Sequence, residues 1–184
     1  LLICSSVIDM QSFSKSEVND GYGSNLWKDS SLRNWLNTEF YNAFNSQEKK
    51  LILDCKNKYL LSLKNLHLKK GGERDFYWTH IPELVDRGYE KAYFDISTDR
   101  VFLPDVSDIS YAFRIGADIR RNRPYWLETP YFYNPSMVRV VFRDGYIYMK
   151  DASLEDIGVV PAIRIGRGNF RGSGSADDPY RLDS

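Results

Sequence analysis

The sequence predicts an α+β domain in which two main helices pack on a twisted antiparallel sheet, with much of the chain in loops. Three stretches carry that prediction. Leu32, Trp35, Leu36, Phe40 and Ala43 recur at helical spacing behind Asp29-Ser30-Ser31, a run of N-cap residues. Val138 to Arg143 and Tyr146 to Lys150 alternate apolar and polar side chains on either side of Asp144-Gly145. Asp-Gly at that break predicts a type I′ hairpin turn, whose two central residues take positive φ. Val159 to Ile165 supplies a third late strand behind a polar loop, with Trp126 at the entrance of the sheet.

In chain order, Leu1 to Asp9 reads as a buried strand and Gln11 to Lys28 as a polar, Gly- and Ser-containing loop. The helix over 29–44 follows, and Asn45 with Glu48 three residues on forms the pattern of a capping box for a shorter helix through Leu53. From Lys58 to Lys70 the leucines alternate and then shift phase, which predicts a strand with a bulge, ended by Gly71-Gly72. Glu83 to Tyr93 after Pro82 has the makings of a helix weakened by Gly88. Arg100 to Leu103 is a short strand, Asp105 or Ser107 caps a helix through Phe113, and Gly116 to Pro124 is a loop. The predicted core contains Trp35, Leu36, Phe40, Trp126, Leu127, Val138, Val140, Phe142, Val159, Ala162 and Ile163.

A chain of 184 residues that is 42% hydrophobic can bury one sizeable core. Lys plus Arg and Asp plus Glu number 25 each, so no global field draws in nucleic acid or an anionic membrane. No apolar run approaches the roughly 20 residues of a membrane helix, so neither a nucleic-acid partner nor membrane insertion is expected. The first residues, LLICSSVID, lack both Met and a basic signal region, which fits a processed product or an excised domain.

Cys4 and Cys55 lie among aliphatic residues and read first as small, reduced, structural thiols, the other reading being one disulfide in an exported protein. With His67 and His80 the only histidines, they make a poor zinc site, and the sequence implies neither metal nor cofactor. Neither histidine sits beside a nucleophile in a recognisable catalytic pattern. Asp105 with Asp108, Glu155-Asp156 and Asp177-Asp178 are paired carboxylates suited to hydrolysis if they faced a cleft, although loop solvation and helix capping explain them more simply.

The candidate binding residues are aromatic and basic. Tyr131, Phe132 and Tyr133 lie beside Asn134-Pro135, which breaks any regular strand; rings on such a loop anchor interfaces at low entropic cost. Arg120, Arg121 and Arg123, with Arg139 and Arg143 if those two share a hairpin face, would add forked contacts to an anion and a polar rim. The competing readings are rings folded over Trp126 as a satellite core, and a solvated arginine loop partnered by Asp118.

Leu1-Leu2-Ile3, SSLRNWLNTEFYNAF at 30–44, RVFLPD at 100–105, YWLETP at 125–130 and GVVPAIRI at 158–165 stand in a characteristic order. Together they resemble an uncharacterised bacterial domain-of-unknown-function family with signatures of the form SSLRxWLN, VFLLS, WLRSP and GVRPA. That family resembles the C-type-lectin-like fold shared with formylglycine-generating enzymes and with variable receptor-binding proteins of phage and bacteria. The resemblance implies a C-type-lectin-like domain over 1–165, with 56–95 a family-atypical insertion. It also implies a start inside the domain or a missing first strand, since the family commonly has a strand ahead of LLIC. Glu128 and Val160 replace two arginines usual in the family, so no role of those arginines carries over. Formylglycine-generating activity is disfavoured because no cysteine follows Cys55, and a calcium-dependent lectin site is disfavoured because Asn134-Pro135 lacks its acidic companions.

Residues 166–184 read as a Gly/Ser-rich tail or linker, GSGSADDPYRL resembling a phrase that joins modules in bacterial surface proteins; the competing reading returns 179–182 to the domain as an edge strand. The expected function is a non-enzymatic module that binds a protein or glycan through surface loops. It would belong to a larger bacterial or phage protein at a cell surface, secreted or on a virion. An enzyme or small-ligand domain with a cleft formed by the 56–95 segment is the other class.

Overall fold

A computed structural model describes residues 1–15, 17–68, 93–166, 170–172, 178 and 181–182. The chain opens with β1 (Leu2–Ile3) and β2 (Asp9–Met10). A 3-10 turn at Trp27–Asp29 leads into α1 (Ser31–Trp35), which continues as a π-helical segment, Leu36–Phe40. Then come α2 (Ser46–Leu51), β3 (Cys55–Leu60), a 3-10 segment (Leu63–Leu68), β4 (Phe94–Asp99), β5 (Val101–Phe102) and α3 (Val106–Arg114). Among the described residues the regular elements of the late chain are strands: β6 (Tyr125–Pro130), β7 (Met137–Val141), β8 (Ile147–Asp151), β9 (Gly158–Val159), β10 (Ala162–Ile163), β11 (Phe170–Arg171) and β12 (Arg181–Leu182). The class is α+β, with strands dominant and few helices.

Five strands form the main sheet in the order β2-β9-β6-β7-β8, with β6 and β9 parallel and the other neighbours antiparallel. A second sheet, β1-β10-β5, is antiparallel, and β3 pairs with β4 from Cys55↔Asp99 to Leu60↔Phe94. Residues 2–11 thus run antiparallel to 157–163 across both sheets, stitched between strands by Cys4 N–H to Pro161 O (2.9 Å) and Ile8 N–H to Val159 O (3.0 Å). The predicted strand over 159–165 is split at Val160-Pro161, because proline has no N–H to give a ladder. The predicted buried strand at Leu1 to Asp9 is two short strands on sheet edges, with Leu1, Leu2 and Ile8 exposed.

β6 is buried along its whole length, because its two faces feed two cores. Trp126 packs with Phe13, Trp27, Leu32 and Leu36 on one side; Tyr125 and Leu127 pack with Val106, Ile109 and Ile147 on the other. The predicted core residues Leu36, Trp126, Leu127, Val138, Val140, Val159 and Ala162 are fully buried; Trp35, Phe40, Phe142 and Ile163 are half-buried against them.

Ser30 caps α1, its hydroxyl accepting the Arg33 N–H at 3.0 Å, and the Asn45–Glu48 capping box of α2 is complete. Asp105 and Asp108 form a second capping box on α3. The 138–150 hairpin is present, but its turn is not type I′. Gly145 N–H bonds Phe142 O at 2.9 Å, and of the turn residues only Gly145 (φ +87°) is positive, the pattern of a three-residue loop closed by a left-handed glycine. The strand predicted at Lys58 to Lys70 ends at Leu60, where β4 runs out, and the phase shift in its leucines marks the coil into Leu63–Leu68. Both cysteines are free thiols. The helix expected over 83–93 and His80 lie outside the described residues, Tyr93 excepted. In the tail, β11 and β12 pair with each other rather than with a sheet of the domain.

Candidate functional site

The aromatic loop is pinned inward. Asn25 Nδ2 reaches the carbonyls of Tyr131 (3.1 Å), Asn134 (2.9 Å) and Met137 (2.9 Å), while Asn25 N–H bonds Pro135 O and Leu63 N–H bonds Phe132 O. Tyr131 and Phe132 are therefore buried, and Tyr133 alone of the three rings is exposed. Arg139 is buried too, its guanidinium carbon 5.2 Å from the Tyr131 ring centroid, so it does not share a solvent-facing hairpin face with exposed Arg143. The expectation of a three-ring surface rimmed by Arg139 fails for a physical reason: a loop with this many carbonyls inside the fold needs donors, and Asn25 supplies them.

The arginine loop separates as well. Arg120 pairs with Asp118 (Nε to Oδ1, 2.8 Å), holding that exposed carboxyl below its usual range, first through the side-chain hydrogen bond. Arg121 turns to the Cys4 carbonyl at 3.0 Å and over the Tyr125 ring, while Arg123 is exposed.

Arg120 does border a hollow of about 270 Å³, between the C-terminal end of α3 and the hairpin turn. Phe113, Gly116 and Ile119 form one wall; Asp144 and Gly145 form the other. A Cβ at Gly145 would lie 3.5 Å from Arg120 Cγ, so the turn and the loop already touch. Tyr111, Phe113, Ile115 and Tyr146 are exposed on these same two elements.

A second cavity, about 310 Å³, was not anticipated in its chemistry. Lys56, Asn57 and Lys58 of β3 line it together with Asp105, Ser107 and Asp108 at the start of α3, and Phe102, Leu103, Glu128 and Arg164 complete the lining. Of the 56–95 segment only Lys56, Asn57 and Lys58 line this cavity; His67 does not, and residues 69–92 lie outside the described ones. Glu128 is 3% exposed, its N–H bonded to Pro104 O at 3.0 Å, and its Oε1 is buried without a hydrogen-bond partner. Burial, then the charges of Asp105, Asp99 and Asp108, push its pKa well above the usual carboxylate value, against a small opposing effect of Arg33. Burial also raises Asp108, against its hydrogen bond from the Asp105 backbone. Among the described residues, no group of three or more His, Cys, Asp or Glu side chains is placed to hold a metal ion. The signal in the sequence was an acid at the end of an otherwise apolar run, YWLE.

Residues 1–166 match the family model described as Domain of unknown function (DUF6273), and the chain belongs to that family. No curated protein and no solved structure matches the chain.

Proposed function

We propose that this domain is a non-enzymatic recognition module on a C-type-lectin-like scaffold, binding a protein partner at the hollow between α3 and the hairpin turn. The observation that carries the reading is the exposed apolar surface of the two elements that bound it: Phe113 lines the hollow, and Tyr111, Ile115 and Tyr146 stand out from the same helix end and turn, each of the four 45% or more exposed. Keeping such side chains in water is unfavourable, and exposed apolar side chains beside charges of both signs, here Asp118, Arg120 and Asp144 of the hollow's lining, have the composition of a protein interface. Ile115, the most exposed of the four at 63%, offers no ring on which a sugar could stack. The pairing of two short loops over a doubly covered sheet supports rigid presentation of that surface.

A displayed peptide library selected on the folded domain tests the reading. Binders should carry apolar anchors, and Phe113→Ser with Ile115→Ser should weaken them at least about tenfold while leaving the melting temperature within about 2 °C of the parent. Binders indifferent to the double substitution, or a glycan array retaining a ligand that the substitution releases, would replace this reading.

A further inference from the structure

The cleft at Glu128 shares no lining residue with the α3–turn hollow, and the reading above makes no use of it. Its charges sort by depth. The carboxyls lie inward, Glu128 buried and Asp105 and Asp108 half-buried, whereas Lys56, Lys58 and Arg164 are all exposed at the mouth. Aromatic faces fix two of these cations: Lys58 Nζ lies 4.2 Å from the Phe94 ring centroid and the Arg164 guanidinium carbon 5.7 Å from that of Phe102. A carboxyl oxygen buried without a partner is a standing cost that packing alone does not call for, and a ligand donor reaching it removes that cost.

We infer that this cleft binds a small zwitterionic amino carboxylate, its ammonium donating to the buried Glu128 carboxyl and its carboxylate held by Lys56, Lys58 and Arg164. A simple cation meets three positive charges at the mouth, and a simple anion meets three acids at the floor; a molecule with both charges meets the opposite sign at each end. The volume is at the small end of ligand pockets and suits something the size of an amino acid. In the empty cleft burial, and then the charges of Asp105, Asp99 and Asp108, favour the protonated form of Glu128. An arriving ammonium favours the ionised carboxyl, so Glu128 gives its proton to solvent and binding releases a proton.

The test is calorimetric titration of the domain with ω-amino acids graded from glycine to aminooctanoate, in buffers of different ionisation enthalpy. At least one chain length should bind about tenfold or more tightly than the alkylamine and the alkanoate of equal length, with net proton release. Glu128→Gln should cost at least about tenfold in affinity and abolish the proton release without lowering the melting temperature. Lys56→Met with Lys58→Met, at exposed positions, should erase the preference over the alkylamine while leaving Glu128 in place. The inference is overturned if no member of the series binds at millimolar concentration, if the alkylamine binds as well as the zwitterion, or if Glu128→Gln binds like the parent. Such a failure would leave the α3–turn surface untouched, since its peptide test reads other residues.

Discussion

Asp99 gathers four donors: Trp27 Nε1 at 3.1 Å, Arg33 Nε at 2.6 Å, Asn57 Nδ2 at 3.3 Å, and Ser97 Oγ from its own strand. The carboxylate is 1% exposed, so its charge is tolerable only while these donors stay in place. Asp99→Ala strands the Arg33 guanidinium and the Trp27 indole N–H together, and should cost about 3–5 kcal/mol in urea denaturation; a loss below about 1 kcal/mol would mean water replaces the carboxylate. Glu128 is the opposite case, a carboxyl whose neighbours oppose ionisation. Below the ordinary glutamate value of 4.5 it is protonated whether the chain is folded or not. Above that value the unfolded chain ionises while the buried group keeps its proton. Rising pH then favours unfolding, by up to about 1.4 kcal/mol per unit, until the raised folded-state pKa is passed. Glu128→Gln removes this contribution, so the stability of the variant minus that of the parent should grow with pH across the window above 4.5. A flat difference in paired denaturation curves would show the carboxyl to be ionised in the folded domain.

The elements show which parts of the sequence carry their own instructions. Caps are local, and Ser30, Asn45 and Asp105 act as their positions in the sequence announce. SSLRNWLN makes sense residue by residue once folded. Ser30 caps, Leu32 and Leu36 enter the core, Arg33 reaches Asp99, and the Asn37 amide binds β5, accepting Arg100 N–H at 2.8 Å and donating to Val101 O at 2.8 Å. The last two roles were illegible because their partners lie more than sixty residues away. Trp27 and Asn25 were missed for the same reason: within a polar loop nothing local marks them as core and clamp. The split at Pro161 was readable, and the closeness of packing at Gly158 was not. A Cβ there would stand 2.8 Å from both Val7 methyls and 2.9 Å from Pro124 O, where β9 lies between β2 and β6. A backbone oxygen cannot swing aside, so Gly158→Ala should destabilise the domain by at least about 2 kcal/mol, through overpacking. Gly21→Ala is a useful control: nothing lies within 4 Å of its Cβ position, so only the backbone strain of φ +82° would register.

At the scale of the whole molecule, β6 decides how the domain melts. Trp126 belongs to one core and Tyr125 and Leu127 to the other, so neither core closes unless the same strand is in place. β7 repeats the arrangement, with Val138 and Val140 on the first side and Val141 on the second. Residues 157–163 add a third tie, since β9 sits in the five-stranded sheet and β10 in the three-stranded one, with only Val160 and Pro161 between them. Among the described residues these shared strands leave no seam between the two cores along which one could unfold and leave the other folded. Native-state hydrogen exchange should then give one common opening free energy for the amides of Trp126 and Val140, which serve the first core, and of Leu127 and Val141, which serve the second. Trp126→Ala should lower all four together, by about 3–5 kcal/mol, the cost of emptying an indole site in a packed core. If the substitution lowered Trp126 and Val140 while Leu127 and Val141 kept their protection, the two faces of the sheet would be separate cooperative units, and β6 would be their boundary rather than their link.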